Sequence, residues 1–131
     1  MKRLLAVAAL AGLSALSVAK AADTPFRIGY LQWSEDPRYR SERTKAEYPL
    51  LPWGRPVAGA EQAIKETAFS GSQLKLKFEL DKGEAADAAG LAEAVKAMVA
   101  KGTHYVIVDA DGAVMADLSK RTASLPVTLL N

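Results

Sequence analysis

The sequence predicts an α/β fold, a doubly wound parallel sheet. Four short apolar runs alternate with three amphipathic patterns. The apolar runs are strand-sized and rich in β-branched or aromatic residues, and the spacing between them suits helical crossovers. Strand, helix, strand, helix, strand, helix, strand implies parallel pairing through right-handed connections.

Phe26–Trp33 begins the pattern as the first strand. The segment that follows, residues 34–55, is dense in Arg, Tyr, Trp and Pro. Strand-to-helix connections ordinarily take about 2–6 residues, so a segment this long is expected to carry function or disorder. Asp36-Pro37 and Leu51-Pro52 favour turn or extended geometry within it. Pro56 fits a helix start, and Ala60, Ala63, Ile64 and Thr67 form an inward stripe before Gly71. Leu74–Leu80 alternates strictly, as a half-buried strand does. Asp87 is a candidate N-cap for a helix over Ala88–Lys101, with Leu91, Ala92, Val95, Met98 and Val99 inward and Gly102 as the stop. Tyr105–Val108 is continuous and β-branched, the pattern of a strand buried on both faces. Asp111 caps a shorter helix with Val114, Met115 and Leu118 inward, and Lys120 and Arg121 at the negative end of its dipole. Pro126–Leu130 is the fourth strand, with proline at its first position, where it costs no ladder bond.

The amino terminus has the pattern of a secretory signal peptide. Lys2 and Arg3 precede the apolar run Leu4–Val18, and Ala19-Lys20-Ala21 is an A-x-A cleavage site. Cleavage after Ala21 divides the chain into a leader, 1–21, and a lobe, 22–131. Lys2, Arg3 and Lys20 leave with the leader, so 17 bases fall to 14 against 15 acids and the formal charge moves from +2 to −1. That balance, without a basic stripe interleaved with aromatics, argues against a nucleic-acid partner. The chain has no cysteine, which excludes disulfides, thiolate metal sites, a cysteine nucleophile and a lipid-anchor cysteine. The expected location is the periplasm.

Ligands of open α/β sheets bind outside the carboxyl ends of the strands, near a topological switch point. Those ends carry Trp33, Ser34 and Glu35, then Asp81-Lys82-Gly83, then Asp109 and Asp111, then Asn131. The long segment springs from the first end and brings Trp53 and Arg55 toward the same crevice. These eight residues, Trp33, Ser34, Glu35, Trp53, Arg55, Asp109, Asp111 and Asn131, are the candidate ligand-binding set. No phosphate-cradling glycine motif is present. The single histidine, His104, fits a packed, hydrogen-bonded residue at a strand start better than a base or ligand. Asp109-Ala110-Asp111-Gly112 departs from an EF-hand loop, with Ala113 at an oxygen-ligand position. Asp111 as a helix cap and Asp109 bonded to loop amides is the favoured reading over a hard-cation site shared with Glu35 and Asp36. No cofactor, metal or catalytic set is expected.

Two blocks carry a family resemblance: Val57–Ile64 (VAGAEQAI), and Leu91–Gly102 running through Thr103-His104-Tyr105-Val106-Ile107-Val108. Together they resemble the first lobe of type 1 periplasmic binding proteins, nearest to the branched-chain amino-acid binding group of ABC transporters. YLQWSEDPRYR and EYPLLPWGRPVAGAE are similar to a subgroup associated with pyrroloquinoline-quinone-dependent alcohol oxidation. The resemblance implies a two-lobed receptor whose second lobe is missing from this chain. It would close on a small solute by hinge motion and deliver it to an ABC permease in the inner membrane, with a periplasmic quinoprotein dehydrogenase as a further partner. The fourth strand, with no helix after it, gives the same expectation of an amino-terminal portion. The family's amino-acid binders use a hydroxyl-rich loop where this chain has Asp109–Ala113. Two aspartates facing a carboxylate disfavour an ordinary branched-chain amino acid by Coulomb's law. The alternative is an interaction or sensor protein of the same fold that does not transport. On the receptor reading the long segment is a lid, with Trp33, Tyr39, Tyr48 and Trp53 as stacking surface and Arg38, Arg40 and Arg55 as anion or carbonyl partners, or else a surface hairpin packed on the first helix; on the alternative it is an interface anchor.

Overall fold

The computed structural model describes residues 23–39 and 54–131. The leader and its cleavage site, Arg40, Tyr48, Leu51-Pro52 and Trp53 lie outside the described residues. Among the described residues four parallel strands run in the order β2-β1-β3-β4: β1 (Thr24–Trp33), β2 (Leu76–Ala85), β3 (Tyr105–Asp109) and β4 (Thr128–Leu130). The helices are α1 (Val57–Glu66), α2 (Ala68–Gln73), α3 (Ala88–Ala100) and α4 (Gly112–Thr122). This is a small α/β domain of the doubly wound type, with α1 and α2 over one face of the sheet and α3 and α4 over the other. The chain passes from β1 to β2 on one side and returns across β1 to β3. The switch point is therefore the gap between the carboxyl ends of β1 and β3.

The core lies between the sheet and α3 and α4. Leu31, Val106 and Val108 from the strands meet Leu91, Ala92, Val95, Met98 and Leu118 from the helices. The stripe expected on α3 is the buried one, with Val99 packed at its margin. Asp87 caps α3 by accepting from Gly90 N at 2.8 Å, and Gly102 leaves it with φ +87°. Asp111 caps α4 by accepting from Val114 N at 2.9 Å. Gly29 of β1 admits this packing, because a Cβ there would stand 2.8 Å from Val106 Cγ2 and 2.9 Å from Met98 Sδ. Gly29→Ala is expected to cost about 1–3 kcal/mol by overpacking, read as a lower urea midpoint at unchanged m-value.

Several expected boundaries move. The helix expected from Pro56 to Gly71 is two helices joined at Thr67, whose hydroxyl bonds back to Ala63 O at 2.9 Å. No residue of α1 is buried, so Ala60, Ala63, Ile64 and Thr67 are not a core stripe. Gly71 is a buried residue inside α2 rather than a stop; a Cβ there would meet Leu76 O at 2.8 Å. Leu74 closes α2, and Lys75, at φ 57°, makes the turn into β2. The second strand thus starts at Leu76 and continues to Ala85. Asp81, Lys82 and Gly83 are mid-strand and do not stand at its carboxyl end. β4 starts at Thr128, two residues beyond Pro126.

β3 is not buried on both faces. Tyr105 is 47% exposed, Ile107 38% and Leu130 of β4 48%. The reason is lateral: α1 and α2 pack on β2, leaving the β3–β4 half of that face open. At its amino-terminal end an aromatic row crosses the sheet, with Phe26 edge-on to Phe78 at 5.6 Å and stacked with Tyr105 at 6.1 Å. His104 is exposed and sits just before β3. Its Nδ1 lies 2.8 Å from Pro126 O; a carbonyl only accepts, so Nδ1 carries the proton.

Candidate functional site: a carboxylate–guanidinium cluster at the switch point

β1 ends at Trp33, and the chain turns at Ser34-Glu35 into a single 3-10 turn, Pro37–Tyr39. Asp36-Pro37 builds this turn. The Asp36 carboxylate accepts from Arg38 N at 2.9 Å, and proline at the next position has the φ that such a turn needs. The same carboxylate is buried and is gripped by the Arg38 guanidinium, Nε at 3.0 and 2.9 Å and Nη2 at 2.6 Å.

Arg38 and Tyr39 then reach across the switch point to Asp109, at the carboxyl end of β3. Asp109 Oδ1 accepts from Arg38 Nη2 at 3.0 Å and from the Tyr39 hydroxyl at 3.0 Å. Asp109 Oδ2 accepts from the Tyr30 hydroxyl at 3.3 Å and has Arg55 Nη1 at 3.9 Å. Arg55 arrives from the far end of the long segment. It donates to the last carbonyls of β1, to Trp33 O at 3.0 Å and Ser34 O at 3.1 Å. Both guanidiniums lie over the Tyr39 ring, Arg55 at 4.7 Å and Arg38 at 5.5 Å from its centroid, so cation–π attraction reinforces the ion pairs. Both ends of the long segment are thus fastened at one place, the crevice where the sheet's winding reverses.

Two carboxylates and two guanidiniums make the cluster neutral. Burial pulls the Asp36 carboxyl up, but the hydrogen bonds from the Arg38 side chain and backbone, with the charges of Arg38 and Arg55, outweigh it. The group titrates below its ordinary 3.8. The contribution of the pair is therefore full above the unfolded carboxyl pKa and is lost as pH falls through the lower folded value. Arg38→Met is expected to remove that dependence, so stability measured between pH 7 and pH 2 declines less steeply in the variant than in the parent. Tyr30 and Tyr39 are shifted the other way. Burial first, then the Asp109 charge and hydrogen bond, raise both phenols above the ordinary 10.0, so both remain hydrogen-bond donors at neutral pH.

Seven of the eight expected site residues lie among the described residues; Trp53 does not. Arg55 and Asp109 belong to the cluster. Trp33 and Ser34 supply it with backbone carbonyls, while the Trp33 indole donates to Ala86 O at 2.8 Å and ties β1 to the end of β2. Glu35 is exposed beside the turn. Asp111 is spent on the α4 cap, as expected. Asn131 donates to Val108 O at 2.8 Å and Ala110 O at 3.0 Å, bracing the backbone that carries Asp109. Asp109 was expected to bond loop amides; it bonds side chains from β1 and the long segment instead. Among the described residues no group of three or more His, Asp or Glu could hold a metal ion. The carboxylates of Asp36, Asp109 and Asp111 are engaged by guanidiniums, phenols and an amide. The expected repulsion of a carboxylate ligand by Asp109 and Asp111 weakens for the same reason. Tyr30, Asp36, Arg38 and Tyr39 complete the cluster outside the eight candidates; Arg38 and Tyr39 were expected only as lid residues and Asp36 only in a cation site. The signal for three of them was the Asp-Pro-Arg-Tyr turn immediately after a strand.

Among the described residues the cluster holds no nucleophile–base–orienter arrangement. It offers a rigid, charge-paired rim, with Arg38 46% exposed at its outer edge. No protein-family model, no curated protein and no solved structure matches this chain.

Proposed function

We propose that the chain is the solute-binding lobe of an exported receptor that serves an ABC-type importer in the inner membrane. It binds and does not catalyse, and its location is the periplasm. The ligand sits on the rim formed by Arg38, Tyr39 and Arg55 between the ends of β1 and β3. The observation that carries this reading is the convergence of the two ends of the long segment on Asp109, at the place where open α/β sheets hold their ligands. A solute with a carbonyl or carboxylate group meets Arg38 there, and a flat apolar portion meets Tyr39. The resemblance of VAGAEQAI and of the Leu91–Val108 block to periplasmic binding proteins supports the same reading. The similarity of YLQWSEDPRYR to the alcohol-oxidation subgroup directs the search to small acids, aldehydes and alcohols, and to a quinoprotein dehydrogenase as a further partner.

Thermal-shift measurement on the full chain tests it. The panel is small alcohols, aldehydes and acids, branched-chain amino acids, and pyrroloquinoline quinone. A ligand of the folded state at a hundredfold excess over its Kd stabilises by about 2.7 kcal/mol, a readily measured rise in Tm. The expected result is a rise with one carbonyl-bearing class, lost in Arg38→Met. A rise that survives Arg38→Met, or none across the panel, counts against the receptor reading. An interaction protein of the same fold is the second reading, favoured by the open apolar stretch of Tyr105, Ile107 and Leu130.

A further inference from the structure

The two ends of the sheet differ in charge. Right-handed crossovers run the helices against the strands, so α1, α3 and α4 end beside the strands' amino ends. That pole carries Lys65 on α1, Lys75 and Lys77 at the start of β2, Lys101 after α3, and Lys120 and Arg121 on α4. All six are exposed, and the acids among them are Asp23 and Glu66. The opposite pole, around the switch point, has the reverse balance, with Glu35, Asp36, Glu84, Asp87, Asp109 and Asp111 against Arg38 and Arg55. The domain is therefore a charge dipole along its strands.

Helix ends explain only part of the basic pole. Lys65, Lys120 and Arg121 complement the negative ends of their helices. Lys75 and Lys77 lie on no helix: Lys75 forms the turn into β2, and Lys77 is on the strand itself. Lys77 and Arg121 are bridged within their own elements, to Glu79 at 2.9 Å and Asp117 at 3.0 Å. The same pole projects apolar side chains. Only Gly71 of α2 is buried, and a Cβ there would stand 2.8 Å from Leu76 O, so this short helix is pressed onto β2. Phe69 is 76% exposed and the cap residue Leu74 65%, the highest values among the large apolar side chains described. Two such residues on one short helix, with Lys65 before it and Lys75 after it, differ from the singly scattered apolar surface of ordinary proteins.

We infer that this pole docks on an anionic lipid surface, with Phe69 and Leu74 entering the headgroup boundary and the lysines around them facing the lipid phosphates. Side chains so exposed project rather than line a groove, and a fluid lipid layer accommodates them without a matching pocket. Each lysine near such a surface adds attraction while its charge stays among the headgroups. The acidic pole is repelled by the same surface, which turns the rim over Asp109 away from the lipid. The inference is independent of the solute reading of that rim, and the two fail separately.

The test follows amide signals of the full isotopically labelled chain with bicelles of phosphatidylcholine, alone or mixed with phosphatidylglycerol, each carrying a paramagnetic lipid. The expected result is broadening at Phe69, Leu74 and Lys75 and none at Arg38 or Asp109. It grows with phosphatidylglycerol and fades in high salt. Lys65→Gln is expected to weaken the association about fivefold, the worth of one lysine near an anionic surface. Phe69→Ser weakens it about tenfold through lost apolar burial. Lys96→Gln removes the same charge from the middle of α3, away from the pole, and leaves the association unchanged. Every variant keeps residues 1–22, so the leader's own affinity for lipid is common to all of them. Equal broadening with both lipids, or equal weakening by Lys65→Gln and Lys96→Gln, overturns the proposal. Binding to polyglutamate that Phe69→Ser does not weaken, without binding to lipid, assigns the pole to an acidic protein and overturns it as well.

Discussion

Asp109→Ala is expected to lower the stability of the folded chain by about 2–4 kcal/mol. The removal of one partner from a buried ion pair ordinarily costs about 3–5 kcal/mol, and the lower figure allows for the solvent exposure of Arg38. The loss is large because Asp109 is the shared acceptor of Arg38, Tyr39 and Tyr30. Without it, the buried Tyr30 hydroxyl faces a void, and both ends of the long segment lose their common anchor. Asp109→Asn keeps an acceptor of the same shape and lacks only the charge, so it falls between the parent and alanine. Urea unfolding gives all three values. A loss under about 0.5 kcal/mol for alanine, the range of an ordinary surface substitution, shows that the cluster is decoration rather than anchor.

Leu91→Ala is expected to cost about 2–5 kcal/mol. Leu91 is fully buried on the first turn of α3, in the core made with Leu31, Val95, Val106 and Leu118. Truncation loses the transfer energy of the removed carbons and leaves a cavity that a sheet packed on two helices cannot fully close. The contrast is Ile64→Ala on α1. No residue of that helix is fully buried and Ile64 is only half-buried, so the equivalent truncation is expected to cost about 1 kcal/mol or less. Near-equal losses at the two positions contradict the one-sided core described above.

The same contrast marks what the sequence revealed. α3 was legible from end to end, and α4 from its cap to Leu118, because caps, stripe and stop are local signals: Asp87 and Asp111 before the helices, Leu91 to Met98 inward, Gly102 after α3; the end of α4 and its buried Thr122 carried no such signal. β2 was misplaced at both ends. The alternation of Leu74, Leu76, Phe78 and Leu80 does not show that Leu74 caps a helix whose terminating turn is a left-handed lysine. Tyr105 and Ile107 look like interior residues by composition. Their exposure depends on how far α1 and α2 extend across the sheet, a tertiary fact with no local signature. In the site, the rule about carboxyl strand ends found Asp109, and Arg55 came from the composition of the long segment. The partners of Asp109 were hidden by distance along the chain, 71 residues to Arg38, 70 to Tyr39 and 79 to Tyr30. Pairing over such separations is set by the order of strands, which the pattern of apolar runs does not specify.

The central claim is that the rim over Asp109 binds the solute. Amide and arginine side-chain chemical-shift mapping of the full chain, with the compound that raises Tm, tests it most directly. The account predicts saturable shifts at Arg38, Tyr39, Arg55 and Asp109, with a dissociation constant that Arg38→Met raises about tenfold, the loss of a charge-assisted hydrogen bond. Shifts confined to Tyr105, Ile107 and Leu130 on the open sheet face would contradict it and move the function to that surface.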